Sequence, residues 1–302
     1  MYDVLDLNYK SVCEVIDLNV PIFGEYKFTQ SSVNKIVTAF SVIDITKPCR
    51  IIVDFTECKF FDAYLCAVLG AYLDKYHRSG FRVAYREPRK ASIHTILKKN
   101  GFLVNFGLPR DSDTNETTVK YFEFETSDES LESFTEYVLE DLLTKNMFDL
   151  LSDIQKGDIT YFLSEIFSNA LLHSNSQKIH CCGQYFPQRN GKSLIFAIVD
   201  TGVGFKQNLY SKNKSELMDD YASIEWALEK GNTTRKIANA PPGGLGLYEL
   251  AKFVNSNKSS LMIISGIDML RISDSNVIFR DNLDTSHNGV IVLLNIKLDD
   301  LD

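Results

Sequence analysis

Three short segments in the second half of this chain restrict what it can fold into, because each fixes a different kind of backbone and they occur in a set order. The first, Leu163 to His173 (LSEIFSNALLH), carries Glu165 and Asn169 four residues apart. On a helix these two project from one face a turn apart, with Phe162, Ile166 and Ala170 supplying apolar contacts alongside. The second, Leu194 to Phe205 (LIFAIVDTGVGF), reads as an apolar strand ending at Asp200. Gly202 and Gly204 then permit a sharp turn and a close backbone approach that a Cβ would block. In the third, Pro242 to Leu247 (PGGLGL), glycines open a helix that continues through Tyr248 to Val254.

Each segment has a chemistry suited to nucleotides. An Asn carbonyl oxygen is a hard neutral ligand for Mg²⁺, which fills its other positions with waters and phosphate oxygens. A carboxylate one turn away can polarise a water or hydroxyl for attack on a terminal phosphate. An Asp buried beneath a base can accept a hydrogen bond from an exocyclic amine. Amides at a glycine-rich helix start, where the helix dipole is positive, make a phosphate cradle. Taken singly, the three also fit a solvated helix face, a tight turn with a capping Asp, and a loop meeting a helix. A Lys-based P-loop is excluded because no GK[ST] follows the glycines, and GVG lacks the third glycine of a dinucleotide fingerprint.

As an ordered set, with Asp200 about thirty residues beyond Asn169 and a long polar segment before the last motif, the segments resemble the boxes of the GHKL, or Bergerat-fold, ATPases. The likeness runs from about Tyr121 to Asp302. It implies Mg²⁺ on Asn169, a general base in Glu165 and an adenine-reading Asp200, with Gly202 and Gly204 bounding the base. Gly243, Gly244, Leu245 and Gly246 would form the phosphate cradle. Lys206 to Pro241 would be a mobile lid, within which Gly231 to Arg235 (GNTTR) resembles a lid motif of bacterial switch kinases and Arg235 would clamp a phosphate. In the family the final strand often opens with Gly-Thr, whose hydroxyl helps position the aspartate. Here Val290 follows Gly289, which implies weaker adenine affinity. His173 lies two turns beyond Glu165 and is read as a helix-end residue that caps or packs.

The first half alternates strand and helix. Arg50 to Phe55 (RIIVDF) and Phe81 to Tyr85 read as strands, Tyr64 to Arg78 and Ala91 to Lys99 as helices, the latter stopped by Asn100-Gly101. From about Val20 to Gly107 this half resembles a STAS domain, the fold of anti-sigma-factor antagonists. Asp62 is followed by Ala63 and Tyr64 rather than a phosphorylatable serine, so the resemblance implies docking and not phosphate acceptance. Asp111 to Thr118 (DSDTNETT) contains no apolar residue and reads as a linker. The expected organisation is a STAS-like domain over residues 1–110, a linker over 111–118 and a nucleotide-binding domain over 119–302. In that domain Tyr121 to Phe124, Lys178 to Tyr185, Leu194 to Val199 and Val290 to Leu298 read as strands, and Ser130 to Thr144 and Ile159 to His173 as helices. The expected class is α/β in the α+β sense, with helices on one face of a mixed C-terminal sheet.

Charge narrows the partners. Basic and acidic residues nearly balance up to Thr118, 15 against 14, whereas beyond it they stand at 17 against 26. An acidic second half argues against a broad nucleic-acid surface, which needs clustered Lys and Arg. No apolar run reaches the roughly 18 residues of a membrane span. The N-terminus lacks a basic region followed by an apolar one, so a cytoplasmic protein is expected. The six cysteines show no CxxC spacing and read as buried thiols. The leading functional expectation is an Mg-ATP-dependent switch acting through a regulatory protein partner, STAS-like or sigma-factor-like, with a homodimer also compatible. The alternatives are a serine/threonine kinase of the anti-sigma type and a non-catalytic interaction protein.

Overall fold

The computed structural model describes residues 2–5, 17–22, 24–26, 29–149, 151–187, 192–211, 220–232, 246–273 and 277–300. In chain order the first half contributes β1 (Asp3–Leu5), β2 (Asp17–Pro21), β3 (Gly24–Tyr26), α1 (Gln30–Ser41), β4 (Arg50–Asp54), β5 (Cys58–Phe61), α2 (Cys66–Arg78), β6 (Arg82–Arg86) and α3 (Ala91–Lys99). β1, β6, β4 and β2 form a parallel sheet in that order, and β3 pairs with β5 beside it. Ile51, Ile52 and Val53 of β4 are all buried, as expected of a parallel strand covered on both faces. α3 keeps its expected bounds. Its stop is physical: Gly101 adopts φ +82°, and the Asn100 carboxamide oxygen accepts from the Phe102 amide at 3.0 Å.

The second half supplies β7 (Thr118–Glu125), α4 (Ser130–Tyr137), α5 (Asp153–His173), β8 (Lys178–Phe186), β9 (Ser193–Asp200), α6 (Phe205–Ser211), α7 (Asp220–Leu228), α8 (Gly246–Ser256), β10 (Ser260–Ser273) and β11 (Val277–Lys297). The molecule is α+β. Its five-stranded sheet, ordered β10-β11-β9-β8-β7, is antiparallel at every described pairing rather than mixed as expected. For β8 with β9, and for β10 with β11, the reason is a connection too short for a parallel crossover. α5 starts earlier than its apolar pattern, because Ser152 and Gln155 form a reciprocal capping box. The expected helix over Ser130 to Thr144 loses its α-helical form at Tyr137 and continues as one π turn through Leu142. Within the segment expected as a mobile loop, α6 and α7 are helical, and α7 gives way to a turn over 229–232.

β9 explains why the run LIFAIV does not alternate with polar residues. Leu194, Phe196 and Ile198 face α4, α5 and α8, packing with Phe134, Phe167 and Leu250. Ile195, Ala197 and Val199 face the other way and share a core with α2. Both faces are buried, so both carry apolar residues. α2 is apolar all round for the matching reason: Cys66 to Leu73 are all buried, sandwiched between the parallel sheet and the back of the antiparallel one. Gly70 is required there, since a Cβ would fall on the Tyr121 hydroxyl of β7. The two halves are also clamped by ions. Arg78 bonds Asp74 at 2.7 Å on α2, and Lys178 of β8 reaches Asp74 at 3.5 Å and Glu123 at 2.9 Å.

Candidate functional site

Asp200 closes β9 and is 1% exposed. Its Oδ1 accepts from the Gly202 amide at 2.9 Å, and the Val290 amide also donates to the carboxylate. These two donors favour the ion, but burial outweighs them and pushes the carboxyl up to about 7. Gly289, at φ +104°, lets β11 cross this carboxylate, because a Cβ there would fall on the Asp200 oxygens. Val290 therefore serves through its backbone amide, while its side chain lines the neighbouring cleft.

The glycine turn after Asp200 is fastened to the end of α5. A Cβ on Gly202 would fall on the Ser174 carbonyl, which accepts from the Val203 amide at 2.5 Å. The Phe205 amide donates to the Ser265 hydroxyl at 3.0 Å, and the Asn208 carboxamide donates to the His173 carbonyl at 3.0 Å. These contacts fix the C-terminal end of α5 against the end of β9. Asn169 and Asp200, 31 residues apart in sequence, consequently line one cleft.

That cleft has two chambers. The first encloses about 490 Å³ including its open mouth and is walled mainly by apolar groups, among them Ile166, Ile198, Val203, Leu247 and Val292, with Asp200 at the floor. The second, about 520 Å³ on the same measure, is more polar and is bounded by Glu165, Asn232, Trp226 and Gly246. Asn169, His173, Phe205, Asn208 and Leu247 belong to both, so Asn169 stands where the chambers meet. Glu165 is half-buried, and loss of water raises its pKa above the usual carboxylate value. Gly246, the first residue of α8, presses its backbone against this side chain, and a Cβ there would fall on the carboxylate.

The structure thus brings together Glu165, Asn169, Asp200, Gly202, Gly204 and Gly246. Arg235, Gly243, Gly244 and Leu245 lie outside the described residues. Chemically, the cleft offers a largely apolar chamber with a buried carboxylate at its floor, a neutral carboxamide where the chambers meet, and a second carboxylate in the more polar chamber.

One contributor has no local sequence signal. His287 of β11 is fully buried, and its Nε2 lies 3.0 Å from the Asp200 backbone carbonyl. A carbonyl only accepts, so Nε2 carries the proton and Nδ1 accepts from the Tyr72 hydroxyl of α2 at 2.9 Å. Burial lowers the imidazole pKa to about 4, consistent with this neutral tautomer. His287 therefore ties the strand end that carries Asp200 to the first half of the chain.

No family model matches the chain, and no curated protein matches it. Among the described residues no helix is long and apolar enough to cross a membrane.

Proposed function

We propose that the cleft binds Mg-ATP and that the chain works as a nucleotide-dependent switch. The observation that carries this reading is the shared cleft of Asp200 and Asn169, with a buried acceptor at its apolar floor and a hard oxygen ligand at its polar neck. An exocyclic amine of a base entering the first chamber would supply the donor that the buried Asp200 carboxylate lacks from water. Asn169 would hold Mg²⁺, which supplies charge neutralisation for the phosphates. The triphosphate would then extend into the second chamber toward Glu165 and the start of α8. A signal could reach the first half through His287 and Tyr72, which join the Asp200 carbonyl to α2. A protein partner docking on that half, STAS-like or sigma-factor-like, fits this switch, as does a second copy of the chain.

A kinase reading has its own support in Glu165. A half-buried carboxylate with a raised pKa beside the neck of the cleft suits a general base that activates a hydroxyl of another polypeptide. Calorimetric titration with a non-hydrolysable ATP analogue, with and without Mg²⁺, tests the common core of both readings. Wild type should bind, Asp200→Asn should lose binding, and Glu165→Ala should retain it. Normal binding by Asp200→Asn would remove the assignment. Labelled ATP offered with candidate protein substrates then separates the two: phosphate on protein marks the kinase, and its absence with intact binding marks the switch.

A further inference from the structure

Behind the glycine turn, on the side away from the nucleotide cleft, a second cavity opens at the seam between the two halves. It encloses about 1090 Å³ including its mouth and is bounded by Lys75 of α2, Lys206 and Tyr210 of α6, Thr201, and the Ser286 to Gly289 stretch of β11. An adjoining groove of about 800 Å³ shares Lys75, Ser286 and Asn288 with it. Beyond those residues the groove is mainly apolar and aromatic, walled by Phe40, Ile43, Ile45, Tyr72 and Tyr76, with Ser41 also lining it. Phe40 and Tyr72 stack there with ring centroids 5.1 Å apart.

Charge makes this seam unusual in an acidic protein. Among the described residues no carboxylate lines either compartment. Elsewhere on the same interface, cations drawn out of water are matched: Arg78 by Asp74, and Lys178 by Asp74 and Glu123. Lys75 is half-buried, and no described side chain accepts from its ammonium or pairs with it. Burial first, and then the Arg78 guanidinium, push its pKa down. Lys206 faces it across the cavity from the other half of the chain. Two ammonium groups around one cavity without a counter-charge are stabilised by an anion that enters it.

The geometry points to a second ligand site at this seam, for a small molecule carrying a phosphate or carboxylate on an apolar body. Lys75 and Lys206 hold the anion, with hydrogen bonds available from Thr201, Ser286 and Asn288. The aromatic groove holds the body. Gly204 borders both this cavity and the nucleotide cleft, so the two sites share one thin wall. The assignment does not rest on nucleotide binding.

Equilibrium dialysis of the full chain with 1-naphthyl phosphate and, separately, 1-naphthoate tests it. Saturable binding of at least one probe is expected, and which of the two binds identifies the anionic group. Affinity should fall at least about tenfold in Lys75→Met and in Lys206→Ala, and 1-naphthol, the same body without charge, should bind at least about tenfold more weakly. Asn169→Ala, at the neck of the other cleft, should leave probe binding intact. Lys206 lies on α6 away from the main core, so its variant remains informative if the change at Lys75 prevents folding. The site is overturned if neither anion binds wild type saturably, or if both folded lysine variants bind as wild type does. It is also overturned if Asn169→Ala abolishes binding that the lysine variants keep.

Discussion

The pH dependence of adenosine binding tests the role given to Asp200 most directly. Burial pushes this carboxyl from its ordinary 3.8 to about 7, against the pull of the Gly202 and Val290 amides. If the base amine donates to the ionised form, the apparent dissociation constant is multiplied by one plus the ratio of protonated to ionised carboxyl. Between about pH 8 and about pH 6 that factor rises from about 1.1 to about 11, so affinity should weaken about tenfold. Adenosine is the right ligand because it has no phosphate to titrate in this window. Calorimetry across the window should show the fall for wild type, and for Asp200→Asn a weak affinity with no pH dependence. The same carboxyl acts on stability with a definite sign. Its folded pKa lies above its unfolded one, so the folded state holds the proton more tightly, and its contribution is fully present below about pH 4 and lost as pH rises toward 7. The loss is on the order of a few kcal/mol at most, and Asp200→Asn should recover part of it at neutral pH. An adenosine affinity that stays level from about pH 6 to about pH 8, or a slope that survives in Asp200→Asn, would refute the argument.

Other consequences concern the neck, the turn and the seam. Asn169→Ala should abolish the effect of Mg²⁺ on ATP-analogue affinity while sparing adenosine, as read by paired titrations; an unchanged Mg²⁺ effect would count against Asn169 as a ligand. Gly202→Ala puts a Cβ onto the Ser174 carbonyl, a backbone group at the end of α5 that has little room to yield. A cost of about 1–3 kcal/mol is expected, seen as a lower midpoint in urea unfolding together with weakened adenosine binding. Tyr72→Phe removes the hydroxyl that donates to His287 Nδ1 and leaves a buried acceptor without its partner. That should cost about 1–3 kcal/mol, with part of the loss recovered in Tyr72→Phe combined with His287→Leu, measured as a double-mutant cycle.

What the sequence disclosed, and what it hid, follows from the range over which each signal acts. α3 was legible to the residue because its stop is local, a glycine at positive φ next to an Asn that caps its own chain. β9 was legible because a strand buried on both faces writes a continuous apolar run, and α5 because Glu165, Asn169 and their apolar neighbours share one helical period. α1 went unread although Thr29 caps it, since its polar start, Gln30 to Asn34, masks the periodicity of Val33, Ile36, Val37 and Phe40. β10 went unread, as did β11 before Val290, and the outer stretch of that hairpin was hidden for a different reason. From Asp268 to Ser273 the hairpin pairs only with itself, through Val277 to Asn282, and carries polar residues that the main sheet would not tolerate. His287 could not be found at all from pattern: its role comes from reaching Asp200 on one strand and Tyr72 on a helix 215 residues away.

The same reasoning bears on how separable the two halves are. Composition marks Asp111 to Thr118 as a linker, yet the segment is tied down: Lys98 pairs with Asp111 at 2.7 Å, and Asp113 accepts from the Thr118 amide and hydroxyl at 2.7 and 2.8 Å. More important is the face that α2 covers. Ile195, Ala197, Val199, Ile264, Ile291 and Leu293 are each almost completely buried and belong to a core shared with the first half. Residues 119–302 expressed alone would present them to water as one contiguous apolar patch, the kind of surface that drives association. His287 would also lose Tyr72, loosening the strand end that carries Asp200. That fragment should therefore bind a hydrophobic dye strongly, elute from size exclusion as oligomers, and bind adenosine more weakly than the full chain. A monodisperse fragment with full-length affinity would mean that the first half neither completes the core nor positions the site.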